Sequence, residues 1–224
     1  MARTNKNKEA AVGSQNRTVG PNEAKSALTH CIKLQRPIMM WGAPGIGKSD
    51  IVKQIADTQK REVVDIRLPL WEPTDIKGIP YYNAKENNMV WASPAELPTD
   101  PKSTSIVFLD ELNSAAPAVQ AAAYQLILNR RVGQYHLPEG VSIVAAGNRD
   151  SDKGVTYRMP APLANRFVHI ELRVDFEDWM EWATTNHIHP DVVGYCTFAK
   201  QDLYDFDPRG SSRSFATPRS WSFV

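Results

Sequence analysis

PIMMWGAPGIGKS, residues Pro37–Ser49, carries the strongest structural signal in this 224-residue chain. Its apolar first part has the length of a strand, and Gly42–Ser49 matches the pattern GxxxxGK[ST]. An amphipathic helical pattern follows over Ser49–Gln59. Glycines let such a loop wrap closely around phosphate, so that backbone N–H groups and the N-terminus of the next helix face the anion. The segment therefore predicts a strand, a phosphate-binding loop and a helix.

Two side chains of this loop have separate predicted roles. Lys48 would neutralise the β- and γ-phosphates of a nucleoside triphosphate, and the hydroxyl of Ser49 would ligate Mg²⁺. The predicted nucleotide-binding residues of the segment are Gly42, Ala43, Pro44, Gly45, Ile46, Gly47, Lys48, Ser49 and Asp50.

Polar residues follow two further apolar segments. The first, SIVFLD, ends at Asp110 and is followed by Glu111. Two adjacent carboxylates at the end of a buried strand are costly unless a cation or hydrogen bonds await them. Mg²⁺ is the cation expected for Asp110, which would contact it through its water shell. Glu111 is then placed to polarise the attacking water. The second segment, VSIVAA, leads to Asn148, whose amide could orient water against the γ-phosphate, although an ordinary Gly-Asn turn is a close competitor.

Short apolar segments alternate with amphipathic helices along the chain, which predicts an α/β fold with a five-stranded parallel sheet and helices on both faces. Ser114 is the expected N-cap of the third helix, and Gly78–Trp91 predicts a hairpin. The predicted strands are Pro37–Trp41, Val63–Leu68, Ser105–Asp110, Val141–Ala146 and Phe167–Leu172, and the predicted helices are Asn22–Leu34, Ser49–Gln59, Ala115–Asn129, Phe176–Thr184 and Pro190–Lys200.

Composition narrows the function classes. With 26 Lys+Arg against 25 Asp+Glu, the net charge of +1 argues against binding nucleic acid through a basic surface. No apolar run approaches the roughly 18 residues of a membrane-spanning helix, and the N-terminus lacks the apolar core of a secretory signal. Two cysteines, Cys31 and Cys196, make neither a disulfide framework nor a metal motif. We expect a cytoplasmic protein without membrane association, with a polar, basic and disordered tail at 1–17.

Taken together, these motifs resemble the AAA+ ATPases from about Thr18 to Val224, and most of all the MoxR and dynein-related branch. The segment Asp75–Gly78 and the Tyr81–Trp91 hairpin take the place of that branch's insert in the second core helix. DELNSA, Asp110–Ala115, resembles its DEINRA-type segment. The resemblance implies a P-loop NTPase core at 18–173 and a short or truncated helical lid at 174–224.

Further site residues are implied by this resemblance. PLANRF ends in Arg166 and Phe167 like the superfamily's arginine-finger box, so Arg166 would act on a neighbouring subunit's nucleotide. ATPRS resembles the second sensor, so Arg219 would meet a nucleotide from the lid, in its own subunit or in the neighbour's. Asn148 takes the place of sensor 1, and Val19 and Gly20 resemble the stretch beside the adenine.

The resemblance also implies a function. We expect an ATPase that uses ATP and Mg²⁺, assembles into a homo-oligomeric ring, with six subunits as the expected number, and remodels or assembles a protein client. A partner with a von Willebrand factor A domain is implied by resemblance only. Two alternatives stay open, a ring that acts on DNA and a nucleotide-gated scaffold with little turnover. The near-neutral charge opposes the first, and the intact Asp110, Glu111 and Arg166 oppose the second.

Overall fold

The computed structural model describes residues 17–152, 155–210 and 214–224. Apart from Arg17, the tail predicted to be disordered lies outside these residues. The elements are β1 (Arg17–Val19), α1 (Pro21–Lys33), β2 (Ile38–Trp41), α2 (Lys48–Gln59), β3 (Val63–Arg67), α3 (Pro73–Lys77), β4 (Ile79–Asn83), β5 (Asn88–Ala92), β6 (Ile106–Asp110), α4 (Pro117–Asn129), β7 (Arg131–Val132), β8 (Tyr135–His136), β9 (Ser142–Gly147), α5 (Ala161–Ala164), β10 (Val168–Leu172), α6 (Phe176–Thr185), α7 (Pro190–Phe198) and α8 (Pro218–Trp221).

The main sheet is parallel and has the strand order β1-β10-β2-β9-β6-β3. All five predicted strands are present, which confirms the α/β prediction. A sixth strand, β1, extends the sheet at one edge, where Val19 pairs with Leu172 and is buried. It escaped prediction because it is three residues long and follows a polar segment. In this order β9 separates β2 from β6, so the carboxyl ends of these three strands lie side by side.

The strands β2, β6 and β9 contribute side chains to the hydrophobic cores on both faces of the sheet, because successive side chains point to opposite faces. In β2, Met39 packs on the α4 side, whereas Ile38 and Met40 pack on the side of α1 and α2. Each of these three helices buries apolar residues against the sheet, among them Leu28 of α1, Val52 of α2 and Val119 of α4. With helices on both faces, the sheet offers only its ends for ligand binding.

Helix α4 begins two residues later than predicted. Ser114 ends a 3-10 turn, Leu112–Ser114, and the N-cap is Ala116, whose side chain makes no capping hydrogen bond. The reason is Pro117, which is favoured at the first helical position and excludes helical backbone at the residue before it. Ala116 is accordingly extended, with ψ 145°, and the prediction of Ser114 as N-cap was wrong.

The predicted hairpin at Gly78–Trp91 is confirmed as β4 and β5, with Tyr81 opposite Val90 and Asn83 opposite Asn88. Its aromatic and aliphatic side chains are largely exposed, with Tyr82 66% accessible. A second, shorter hairpin, β7–β8, contacts its base, where the N–H of Trp91 donates to Oε1 of Gln134.

After β10, the described residues at 174–210 and 214–224 form a small helical unit with its own core. Its buried residues are Trp179, Ala183, Val192, Cys196 and Leu203. Asn22 at the start of α1 fastens this unit to the sheet domain, because its backbone N–H and side-chain amide donate to the two carboxylate oxygens of Asp178 at 2.9 and 3.0 Å. Among the described helices, none has the length and apolar character needed to cross a bilayer.

Candidate active site

The loop that joins β2 to α2 needs its glycines for backbone conformation. Gly45 and Gly47 have φ values of +75° and +92°, which residues with a Cβ rarely adopt. Gly47 is the N-cap of α2, so the helix begins at Lys48 with its first N–H groups turned toward the loop. On the sheet side, the N–H of Gly42 donates to the carbonyl of Gly147 at 3.1 Å. The loop therefore has the geometry of an anion-binding turn and is held against the ends of two strands.

Lys48 lies inside this turn with only 9% of its surface exposed. Its Nζ donates to the carbonyls of Gly42 and Ala43 at 2.7 and 2.9 Å, and to Oδ1 of Asn148 at 3.3 Å. Burial lowers the pKa of Lys48 to about 8, and the nearby carboxylate of Asp110 opposes that shift. An ammonium group held only by neutral acceptors is suited to exchange them for phosphate oxygens.

We predict that ATP affinity weakens as pH rises above about 8. A triphosphate binds the protonated Lys48, so the bound state has the higher lysine pKa and binding takes up a proton between the two values. Kd should then rise about tenfold per pH unit from pH 8 upward. The measurement is titration with a fluorescent ATP analogue from pH 7 to 9.5 at constant ionic strength. Lys48→Met is the control, with weak binding that lacks this slope. A flat wild-type profile across the range would contradict the role of Lys48.

Ser49 and Asp110 meet beside the loop and form the candidate metal site. The hydroxyl of Ser49 donates to Oδ2 of Asp110 at 3.3 Å. A hydroxyl and a carboxylate are hard oxygen donors of the kind Mg²⁺ takes, and phosphate-bound Mg²⁺ needs only one or two carboxylates from the protein. The described residues contain no group of three or more His, Cys, Asp and Glu that could hold an ion by themselves. The donor set fits Mg²⁺ bound together with phosphate.

Glu111 stands next to this pair in an uncommon backbone conformation. Its φ and ψ are 54° and 36°, in the left-handed region, and its N–H donates to Oδ1 of Asp110 at 2.9 Å. Non-glycine residues with such angles cost about 1 kcal/mol or more and cluster at functional sites. The turn leaves Glu111 exposed to solvent directly beyond the end of β6.

Asn148 is held by a residue that the sequence reasoning did not single out. Asn113 is buried, and its side-chain amide makes two hydrogen bonds to the backbone of Asn148. Nδ2 donates to the Asn148 carbonyl at 2.8 Å, and Oδ1 accepts from the Asn148 N–H at 3.1 Å. A Cβ at Gly147 would lie 2.5 Å from Oδ1 of Asn113, so only glycine allows this approach. Asn113 therefore ties the segment after Glu111 to the predicted first sensor.

The helical unit after β10, which is the predicted lid, contacts the phosphate-binding loop of the same chain. The N–H of Arg219 donates to the carbonyl of Gly45 at 3.2 Å, and the side chain of Thr217 packs against Gly45. Between the lid and the loop lies an apolar cleft. Its walls include Pro21, Lys25, Ile46, Gly47, Asp50, Trp179, Trp182 and Arg219. Val19 and Gly20 are buried and precede Pro21, which is the first residue of this segment to line the cleft.

Arg166 is the one predicted site residue that the fold keeps away from this loop. It is exposed in the turn between α5 and β10, just before Val168, which is level with Ile38 at the start of β2. The loop begins at Gly42, beyond the other end of β2, a separation of roughly 13 Å along the strand. The other predicted residues gather at the carboxyl end of the sheet, whereas Arg166 lies at its amino end.

A second unpredicted contact links the neighbouring loop to β10. The guanidinium of Arg149 donates to Asp152 and to Glu171, each at 3.0 Å. These hydrogen bonds raise the pKa of Arg149, the one with Asp152 most strongly. The contact fixes the chain directly after Asn148.

Comparison with known proteins matches residues 37–169 to the model of the ATPase family associated with various cellular activities (AAA), more than half of the chain. Midasin from Giardia intestinalis is 28% identical over 185 residues, which cover 78% of this chain and 4% of midasin.

Two solved structures share the fold. One is a protein from Cytophaga hutchinsonii described as an ATPase, with TM-score 0.56, 23% identity, and coverage of 77% of this chain and 52% of that one. The other is a RuvB variant from Thermotoga maritima, with TM-score 0.50, 19% identity, and coverage of 75% and 52%. The chain thus spans about half the length of these two structures and a small part of midasin.

Proposed function

Because the chain belongs to the ATPase family associated with various cellular activities, we propose that it hydrolyses ATP to ADP and phosphate with Mg²⁺ as one subunit of a ring. The family match and the likeness to midasin confirm the expected resemblance to the MoxR and dynein-related AAA+ ATPases. The observation that carries the proposal is the contact between Ser49 and Asp110, which brings the phosphate-binding loop and the carboxylate pair to one point.

The predicted site residues at the carboxyl end of the sheet each have a role in this proposal. Lys48 and the N-terminus of α2 bind the β- and γ-phosphates, and Ser49 and Asp110 hold Mg²⁺, which neutralises charge on the phosphates. Glu111 orients and deprotonates the attacking water. Asn148, held by Asn113, has its amide next to Lys48, where it would orient water against the γ-phosphate.

Arg219 acts in this proposal on the nucleotide of its own subunit. The support is its backbone hydrogen bond to Gly45 and its place in the wall of the cleft. The base of the nucleotide would occupy that apolar cleft, between α2 and the lid tryptophans. Closure of the lid would then depend on the nucleotide that it covers.

The position of Arg166 supports the ring. An exposed arginine at the amino end of the sheet does not reach its own loop, so a finger role requires a neighbouring subunit. Six subunits are the expected number. A finger supplied from a neighbour makes assembly a condition of hydrolysis.

A protein client is the proposed target of the ring. The β4–β5 hairpin supports this proposal, since Ile79, Tyr81, Tyr82 and Met89 are more than half exposed on one short insert. Exposed apolar groups of this kind mark interaction surfaces. A partner with a von Willebrand factor A domain and a cytoplasmic location belong to the same proposal. Salt-sensitive stimulation of the ATPase by DNA would instead favour the DNA-acting alternative.

The test is the dependence of specific ATPase activity on protein concentration. We expect activity per subunit to rise steeply as the protein assembles, with light scattering in the presence of ATP reporting a ring over the same range. Arg36→Ala, which removes an exposed arginine just before β2 at the amino end of the sheet, should show the same dependence on concentration as the wild type, whereas Arg166→Ala should stay inactive at all concentrations. Full activity of a monomer at all concentrations would refute the ring.

A further inference from the structure

The turn that presents Arg166 is held by an imidazole. Nε2 of His169 lies 2.7 Å from the carbonyl oxygen of Ala164, the last residue of α5. The same carbonyl accepts the N–H of Phe167 at 3.2 Å, which closes a turn with Asn165 and Arg166 at its centre. The ring of Phe167 packs edge-on against His169, with centroids 6.2 Å apart. The Ala164 carbonyl therefore accepts two hydrogen bonds, one from the N–H of Phe167 at the end of the turn and one from His169.

Trp41 fixes the protonation pattern and the orientation of this imidazole. Its indole Nε1–H donates to Nδ1 of His169 at 2.9 Å, and the two ring planes are within 12° of parallel. An indole N–H can only donate, so Nδ1 must accept and the ring proton resides on Nε2. That tautomer is the one that donates to Ala164. The two hydrogen bonds are thus compatible in one arrangement only.

The pair also joins two places that matter for catalysis. Trp41 is the last residue of β2 and is bonded directly to Gly42, the first residue of the phosphate-binding loop. His169 lies on the neighbouring strand β10, where it pairs with Met39, and Trp41 pairs with Glu171 two residues further along. The relay Trp41–His169–Ala164 therefore runs from the entrance of one subunit's loop to the turn that carries its Arg166.

We propose that His169 is a positioning residue that sets the placement of Arg166 in the neighbouring subunit's site, and that Trp41 orients it for this task. The inference rests on the proposed function, in which Arg166 acts between subunits. Loss of the His169 donor leaves the Ala164 carbonyl with the Phe167 N–H as its donor, and the turn then relies on that bond and on the Arg166 N–H to Leu163 bond of 3.1 Å, which lets the side chain of Arg166 move from its working position. Displacement of about 1 Å can cost as much as 100-fold in rate.

Mixed rings separate this role from a general effect on folding. Arg166→Ala keeps the nucleotide site but offers no finger, and Glu111→Gln keeps the finger but does not hydrolyse. An equimolar mixture should hydrolyse ATP only where an Arg166→Ala site faces a Glu111→Gln neighbour. His169→Leu is then added to one member of the mixture or to the other, with assembly followed by light scattering.

We expect His169→Leu to lower the rescued turnover about 10-fold when it is placed on the Glu111→Gln member, which supplies the finger. On the Arg166→Ala member it should change turnover less than about twofold, and KM for ATP should be unchanged in both cases. His169→Gln keeps an N–H donor of similar reach and should restore most of the activity. Trp41→Phe on the finger-supplying member should also lower the rescued turnover. Trp71→Phe should not, although Trp71 is partly buried and packs against the same hydrophobic core as Trp41.

Equal losses in both placements, or no loss in either, would overturn the positioning role of His169. Failure of the unmodified mixture to exceed its two parents would have a different meaning. It would refute the intersubunit finger of the proposed function, and this inference with it.

Discussion

Glu111→Gln is expected to lower ATP turnover about 10²–10⁴-fold while ATP affinity stays within about twofold of wild type. Glutamine keeps the size and hydrogen-bonding reach of glutamate but cannot take a proton from water. It can also keep the left-handed backbone of residue 111, which fixes the start of the 3-10 turn after β6. The loss should therefore lie in the chemical step, which is measured as kcat at saturating Mg-ATP.

The affinity measurement separates this effect from damage to the site. Titration of Glu111→Gln with a fluorescent ATP analogue should give a near-normal Kd, because the proposed phosphate contacts are Lys48 and the α2 N-terminus rather than Glu111. Glu96→Gln, which neutralises an exposed carboxylate in the loop between β5 and β6, is the matched control and should keep full turnover. Turnover near wild type in Glu111→Gln would remove Glu111 from the role of base.

The phosphate-binding loop and the sheet could be predicted because their signals are local. Gly42–Ser49 forces its conformation through glycines at fixed positions, and an apolar run such as Ser105–Asp110 has few alternatives to a buried strand. Errors arose where local rules compete. Ser114 is a good N-cap by type, but Pro117 lies three residues further on and decides where the helix begins.

Contacts between distant segments could not be read from the chain. Asn113 and Asn148 are both polar residues after a strand, and only the adjacency of β6 and β9 makes the first hold the second. Trp41 and His169 are separated by 128 residues, and their hydrogen bond depends on β10 pairing with β2. Polar side chains of this kind choose partners by position in the fold, and a sequence motif records only the residue that touches the ligand.

Arg166→Ala is expected to lower ATP turnover about 10³–10⁵-fold at protein concentrations that saturate assembly. An arginine finger neutralises charge that develops on the transferred phosphoryl group, so its removal affects the transition state more than the bound ATP. Arg166→Lys should recover little, because an ammonium lacks the planar, forked donors of a guanidinium. The measurement is kcat at saturating Mg-ATP, together with Kd for the ATP analogue, which should change little.

The exposed position of Arg166 makes this prediction separable from an effect on stability. Its side chain covers no core, so Arg166→Ala should unfold at the wild-type temperature and should still form ATP-dependent assemblies. Arg36→Ala removes an exposed arginine at the same amino end of the sheet and should leave kcat unchanged. A large loss with Arg166→Ala alone would then mark a contact made across the subunit boundary. Wild-type turnover in Arg166→Ala would assign Arg166 to the solvated surface, and the source of the transition-state charge would have to be sought at the carboxyl end of the sheet, where Arg219 already contacts the loop.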